Sequence, residues 1–212
     1  MEVVRSARNP RLRRVRALAR AAERQEQGLF VVEGEDLVLA ALAANAVEDL
    51  LVREGVEPPA EALVVDGDVL DAASGRGSGS RMLAVVRTQA LPVAPATLTG
   101  VGLVLCGVGD PGNVGTLLRT AAAFGAEVVV LSGACADPTG PKAVQAAMGA
   151  TFVVPVLALD DAYPEVRLVA LDGSADTDIA DVDLRGPVLI SLGAEREGLP
   201  AAIRSQIGRA HV

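Results

Sequence analysis

Apolar residues recur along this chain in two rhythms, and the rhythm changes near residue 98. Residues 10–22 set Leu12, Val15, Leu18, Ala19 and Ala22 on one face of a helix opened by Asn9-Pro10, with arginines on the other faces. Short apolar runs then alternate with helical stretches. They predict a strand within 28–34, a helix over about 36–44, strands over 47–53 and 62–66, a weak helix over 69–73, a Gly/Ser-rich loop over 74–80 and a strand over 82–86. The pieces make a small N-terminal α/β domain of residues 1–90. A proline-bearing linker at 91–97 follows, and a second domain spans 98–212.

Beyond the linker 101–105, 127–131, 151–155, 167–171 and 188–191 read as strands, and the first of them, rich in Val and Leu and unbroken by charge, suits a strand buried on both faces. Helical spacing over 113–124 and 141–148 falls between them, so the fold class is α/β, a mostly parallel sheet flanked by helices. The first of these helices draws the eye. Gly112 and Gly115 turn the chain, Asn113 caps, and Leu117, Leu118, Ala121 and Phe124 form the apolar face. Among them stands one cation, Arg119, at the rim where open α/β sheets bind ligands.

Half of the 212 residues are apolar but only 2% are aromatic, so Val, Leu and Ala build the core and base stacking is not the main recognition device. Net charge is −8, unevenly spread: eight arginines and two glutamates within residues 1–24 give a local +6 and leave −14 on the rest. That asymmetry predicts a basic arm for a polyanionic partner, against the alternative of a solvated helix face. Cys106 and Cys135 adjoin apolar runs and have no metal-type spacing, so both read as buried thiols and no metal site is expected. A single histidine, His211, removes His-based triads. No apolar run reaches membrane-spanning length, and a cytoplasmic protein is expected.

Gly107-Val-Gly-Asp-Pro-Gly112 matches the dinucleotide-binding pattern G-x-G-x-x-G after a strand and before a helix. Two features count against it. Asn113 and Gly115 place the helix start late, and the strand at 127–131 ends in Ser132-Gly133 with no acidic residue to hold a ribose.

Three stretches in order carry a more specific likeness. Asn113-Val-Gly-Thr-Leu-Leu-Arg119-Thr120 resembles the first signature of the SpoU/TrmH (SPOUT) class of RNA ribose 2′-O-methyltransferases, N-x-G-[AT]-x-x-R-T. Pro141-Lys142-Ala-Val-Gln-Ala-Ala-Met-Gly149-Ala150 is similar to the family's P-K-x-x-R-A-S-x-G-A segment, and Gly193-Ala-Glu195-Arg-Glu-Gly198-Leu199 to its G-x-E-x-x-G-L signature. Asn9-Pro10, Phe30-Val-Val-Glu-Gly34 and residues 83–86 resemble the family's N-terminal substrate-binding domain.

The resemblance implies S-adenosylmethionine-dependent methylation of RNA, ribosomal rather than transfer RNA, by a homodimer. Arg119, Asn113 and Glu195 are implied as catalytic, with Arg119 orienting or activating the ribose hydroxyl and its phosphate. Leu171, Leu192, Gly193, Gly198 and Leu199 are implied at the cofactor, and Arg8, Arg11, Arg14, Arg119 and Lys142 at the RNA. The pattern departs from the family at Gln145 and Ala147, where Arg and Ser are usual. After Leu199-Pro200 the family's I-P-M and S-L-N segments, which thread a trefoil knot over the cofactor, do not appear before Val212. The expectation is a truncated knot and an incomplete cofactor pocket. The alternative is a non-catalytic RNA-binding protein that keeps the fold.

Overall fold

The computed structural model describes residues 2–74, 79–158, 163, 165–173, 175, 177–195 and 198–201. The predicted loop over 74–80 falls partly, and the stretch after Leu199 where the knot is expected to be truncated almost wholly, outside them.

Two sheets lie on either side of residues 88–100. The first is mixed, with strand order β1-β4-β2-β3, where β1 is Leu29–Glu33, β2 Val47–Arg53, β3 Leu63–Val65 and β4 Met82–Arg87. The central strand β4 alternates strictly. Met82, Ala84 and Val86 pack with Phe30, Val32 and the helix α3 (Glu35–Ala43), while Leu83 and Val85 pack on the opposite face with Leu12, Val15 and Leu18. Both faces are covered, which is why 82–86 reads as an unbroken apolar run.

The basic helix is therefore no free arm. It is α1 (Pro10–Ala17), N-capped by Asn9 through Arg11 N at 2.9 Å, followed by a separate α2 (Ala21–Gln27) that ends at Gly28 in a left-handed conformation. Leu12 and Leu18 are fully buried, so α1 is one wall of the domain core. A further helix, α4 (Gly67–Ser74), closes the same face through Leu70 and Ala73.

The second sheet is wholly parallel, with order β7-β6-β5-β9-β8: β5 Val101–Cys106, β6 Val129–Ser132, β7 Val156–Ala158, β8 Arg167–Leu171 and β9 Val188–Gly193. The expected strand at 151–155 is not there. Gly149 and Ala150 turn the chain into a 3-10 turn at Ala150–Phe152, and the strand forms later, at β7. The helices α5 (Pro111–Ala123) and α6 (Pro141–Ala147) share one face, burying Val114, Leu118, Ala121 and Ala147 against Leu105 and Val129.

α5 begins at Pro111, two residues before the expected start. Asp110 rather than Asn113 is its cap: the Asp110 carboxylate accepts from Asn113 N at 2.9 Å, with Pro111 in the first helical position. The late-helix objection to a dinucleotide fold therefore fails. Strand order excludes it instead, because β9 inserts between β5 and β8 and gives 3-2-1-5-4 within this domain rather than 3-2-1-4-5. Gly115 also has a different task from the turn expected of it. It is buried inside α5, where a Cβ would stand 2.6 Å from Ala146 Cβ, 2.9 Å from Ala147 N and closer still to the Ala143 carbonyl oxygen. Glycine here lets α5 and α6 touch backbone to backbone.

α6 is gripped from its other side by the first domain. Val144 belongs to the core cluster of Phe30 and Val38, and Phe152 stacks on Phe30 with ring centroids 6.3 Å apart. Arg24, 5% exposed, bridges the two halves: it donates to the Leu18 and Ala19 carbonyls at 2.9 Å each and to the Asp137 carboxylate. Burial pushes the Asp137 carboxyl up, and its hydrogen bonds with Thr139 and Arg24 overcome this and hold it below the ordinary range.

Candidate active site

Parallel strands deliver their C-terminal ends to one rim, and a sheet whose neighbours diverge from one strand opens a crevice there. In this chain the divergence is at β5, with β6 on one side and β9 on the other. The crevice is a cleft of about 490 Å³ lined by Gly107, Val108, Gly109 and Asp110 after β5, Asn113, Thr116 and Leu117 on α5, and Leu192, Gly193, Ala194 and Glu195 after β9.

Two of the expected catalytic residues meet across it. Asn113 Nδ2 donates to Glu195 Oε1 at 2.9 Å, joining side chains 82 positions apart in sequence. The turn carrying Glu195 is closed by Gly198 N donating to Ala194 O at 2.8 Å. Gly193 must be glycine for this closure, since a Cβ would press into the backbone of Gly198 and stand 2.5 Å from Leu199 N.

The third does not join them. Arg119 lies six residues after Asn113, about 9 Å along the helix and about 120° around it. Its guanidinium is exposed and donates to Met148 Sδ at 3.0 Å. No carboxylate pairs with Arg119 among the described residues, so its charge is available to an anion.

Of the expected cofactor residues, Leu192 and Gly193 line the cleft. Leu199 does not: 5% exposed, it packs under the sheet with Leu98, Val104 and Cys106. Leu171 is half-buried in a small cluster around Val169 and Val188, and Gly198 supports Gly193 from below. The cleft's size falls within the range of small-molecule sites. Its charged lining, Asp110 and Glu195, is anionic, which fits the sulfonium and ammonium charges of S-adenosylmethionine.

The expected RNA residues separate. Arg11 pairs with Asp49 at 3.3 Å, and Arg14 with Glu48 at 2.7 Å and Asp49 at 3.5 Å. Arg5, Arg20 and Arg24 also face carboxylates. Much of the local positive charge is thus balanced by the body of the protein. Arg8 and Arg13 are exposed and form no ion pair among the described residues, and Lys142 is exposed near the start of α6. Asp110 and Thr116 escaped the sequence reading, although Asp before Pro-Gly is itself a helix-start signal. Among the described residues no group of three His, Cys, Asp or Glu is placed to hold a metal, and no helix is long and apolar enough to cross a membrane.

Known proteins resemble this chain in both of its halves. Residues 9–77 match the MRM3-like substrate binding domain. The chain is 28% identical to an uncharacterized tRNA/rRNA methyltransferase of Synechocystis sp., over 93% of this chain and 80% of that protein. It is 30% identical to the 23S rRNA guanosine 2′-O-methyltransferase RlmP of Bacillus subtilis, over 74% of this chain and 65% of the relative's length. The crystal structure of an AdoMet-bound rRNA methyltransferase from Sinorhizobium meliloti superposes with a TM-score of 0.84 at 27% identity, covering 99% of this chain and 87% of that one. Residues 100–211, more than half of the chain, match the SpoU rRNA Methylase family, and the chain belongs to that family.

Proposed function

We propose that this protein transfers the methyl group of S-adenosylmethionine to a ribose 2′-hydroxyl of ribosomal RNA. The observation that carries the proposal is the Asn113–Glu195 hydrogen bond, which draws two separate motifs into one cleft at the divergence of the sheet. The methyltransferase names of the relatives favour catalysis over RNA binding alone.

The cofactor supplies an already activated methyl group, so the chain's task is placement. Aligning two reactants contributes about 7–11 kcal/mol of barrier reduction, more than any single acid or base supplies. Leu192 and Gly193 form the wall against which the cofactor would lie. Asn113 and Glu195 fix one another at the cleft, which leaves Glu195 Oε2 to accept from the target hydroxyl. Arg119, on the outer face of α5, holds the RNA phosphate, with Arg8, Arg13 and Lys142 as further phosphate contacts. Residues 1–90 select the RNA and residues 98–212 carry the reaction. The assembly is a homodimer in the cytoplasm.

Methyl transfer from labelled S-adenosylmethionine to 23S rRNA and to tRNA, by the full chain, tests the proposal. Ribose methylation of rRNA is expected, lowered about 100-fold or more in Arg119→Ala, with cofactor affinity by calorimetry little changed. Methylation of tRNA alone, or of neither RNA, refutes it.

A further inference from the structure

α6 ends in an unusual way. Met148 follows its last turn at φ 48°, a left-handed conformation that side-chain-bearing residues avoid, and it is 63% exposed with no core to fill. Backbone strain of this kind persists where surrounding structure over-determines it, and it invites a functional explanation. The surroundings here are definite. Gly115 seats α6 on α5, Val144 seats it on the first domain, and Met148 N is tied back to Gln145 O at 3.3 Å. The left-handed turn brings Met148 Sδ to 3.0 Å from Arg119 Nη1. An exposed arginine with no carboxylate partner would otherwise sample many rotamers, at a large entropy cost on binding.

We infer that Met148 is a positioning residue for Arg119. Its thioether is a weak acceptor, strong enough to hold the guanidinium in one rotamer and too weak to compete with an incoming phosphate. A carboxylate in its place would neutralise Arg119. The uncharged sulfur orients the cation and leaves its charge for RNA. This rests on the function proposed above, with Arg119 as the RNA-phosphate contact.

Met148→Leu removes the acceptor while keeping an apolar side chain and the same backbone cost. Met148→Gln restores an uncharged acceptor. In the full chain, the Leu variant is expected to lower kcat/KM for rRNA about fivefold, the size of one modest interaction. The Michaelis constant for S-adenosylmethionine and the thermal midpoint should not move, and Gln should recover most of the loss. A readout independent of turnover is the 15N order parameter of the Arg119 side chain, high in wild type and Gln and low in Leu. Equal order in wild type and Leu overturns the inference, as does unchanged kcat/KM for rRNA in Leu or failure of Gln to exceed Leu. If wild type itself methylates no rRNA, the proposed function has failed instead, and the order parameters still decide whether Met148 holds Arg119.

Discussion

Gly115→Ala probes the contact on which the cleft and the Arg119 side of α5 both depend. An alanine in mid-helix is intrinsically favoured over glycine by about 1 kcal/mol, so without tertiary contacts the change would stabilise. The added methyl instead meets Ala146 Cβ at 2.6 Å, Ala147 N at 2.9 Å and, nearer still, the Ala143 carbonyl oxygen. None of these atoms can rotate away, so the overpacking cost lies at the upper end of its usual range, about 3 kcal/mol. The net expectation is destabilisation by about 2 kcal/mol, which lowers the thermal midpoint by about 4–8 °C for a chain of this size. Urea unfolding should show a lower midpoint with unchanged slope. Gly173→Ala is the control, because nothing lies within 4 Å of its would-be Cβ; it should stay within about 0.5 kcal/mol of wild type. A Gly115→Ala protein as stable as wild type would mean that α5 and α6 do not meet in this register.

Arg24→Met takes the cation from Asp137 Oδ2, leaving that carboxylate only its Thr139 hydrogen bonds, and removes the guanidinium from the Leu18 and Ala19 carbonyls; it should cost about 3 kcal/mol in a denaturant titration. Asp137 titrates below its ordinary value of 3.8 in the folded state, so its contribution is complete above pH 3.8 and is lost as pH falls through the depressed value. Wild type should lose this increment as pH falls below 3.8, whereas Asp137→Asn should not. RNA affinity should fall with salt, and Arg8→Ala or Arg13→Ala should each reduce the log–log slope by about 1. Arg11→Ala and Arg14→Ala should change that slope less, because both arginines already face carboxylates; equal effects at all four would show that those ion pairs open on binding. Gly193→Ala should abolish calorimetric binding of S-adenosylmethionine, because its Cβ forces the Gly198–Leu199 backbone out of place; retained affinity would remove the β9 turn from the cofactor site.

Much of this protein is legible one residue at a time. Strands buried on both faces must be largely apolar, so β1, β4, β5 and β8 announce themselves, and Asn9-Pro10 marks the start of α1 by local capping chemistry alone. The motif residues Asn113, Arg119 and Glu195 are likewise visible in order, because the chemistry demands particular side chains. Wherever two distant segments compete, local pattern stops deciding. Residues 151–155 have strand composition, yet the left-handed Met148 and Gly149 turn them into a 3-10 bend and delay β7. The arginines of residues 5–24 look like one basic arm until Glu48, Asp49, Glu54 and Asp137 arrive from other segments to pair with them.

The site divides in the same way. Sequence by itself determined which residue types were available: an amide, a guanidinium and a carboxylate in three motifs. Only the tertiary structure decided that β9 lies between β5 and β8, which brings Glu195 to Asn113 and leaves Arg119 on another face of the same helix. The physical reason is that strand order is set by how helices cover both faces of a whole sheet, a property no short stretch of chain contains.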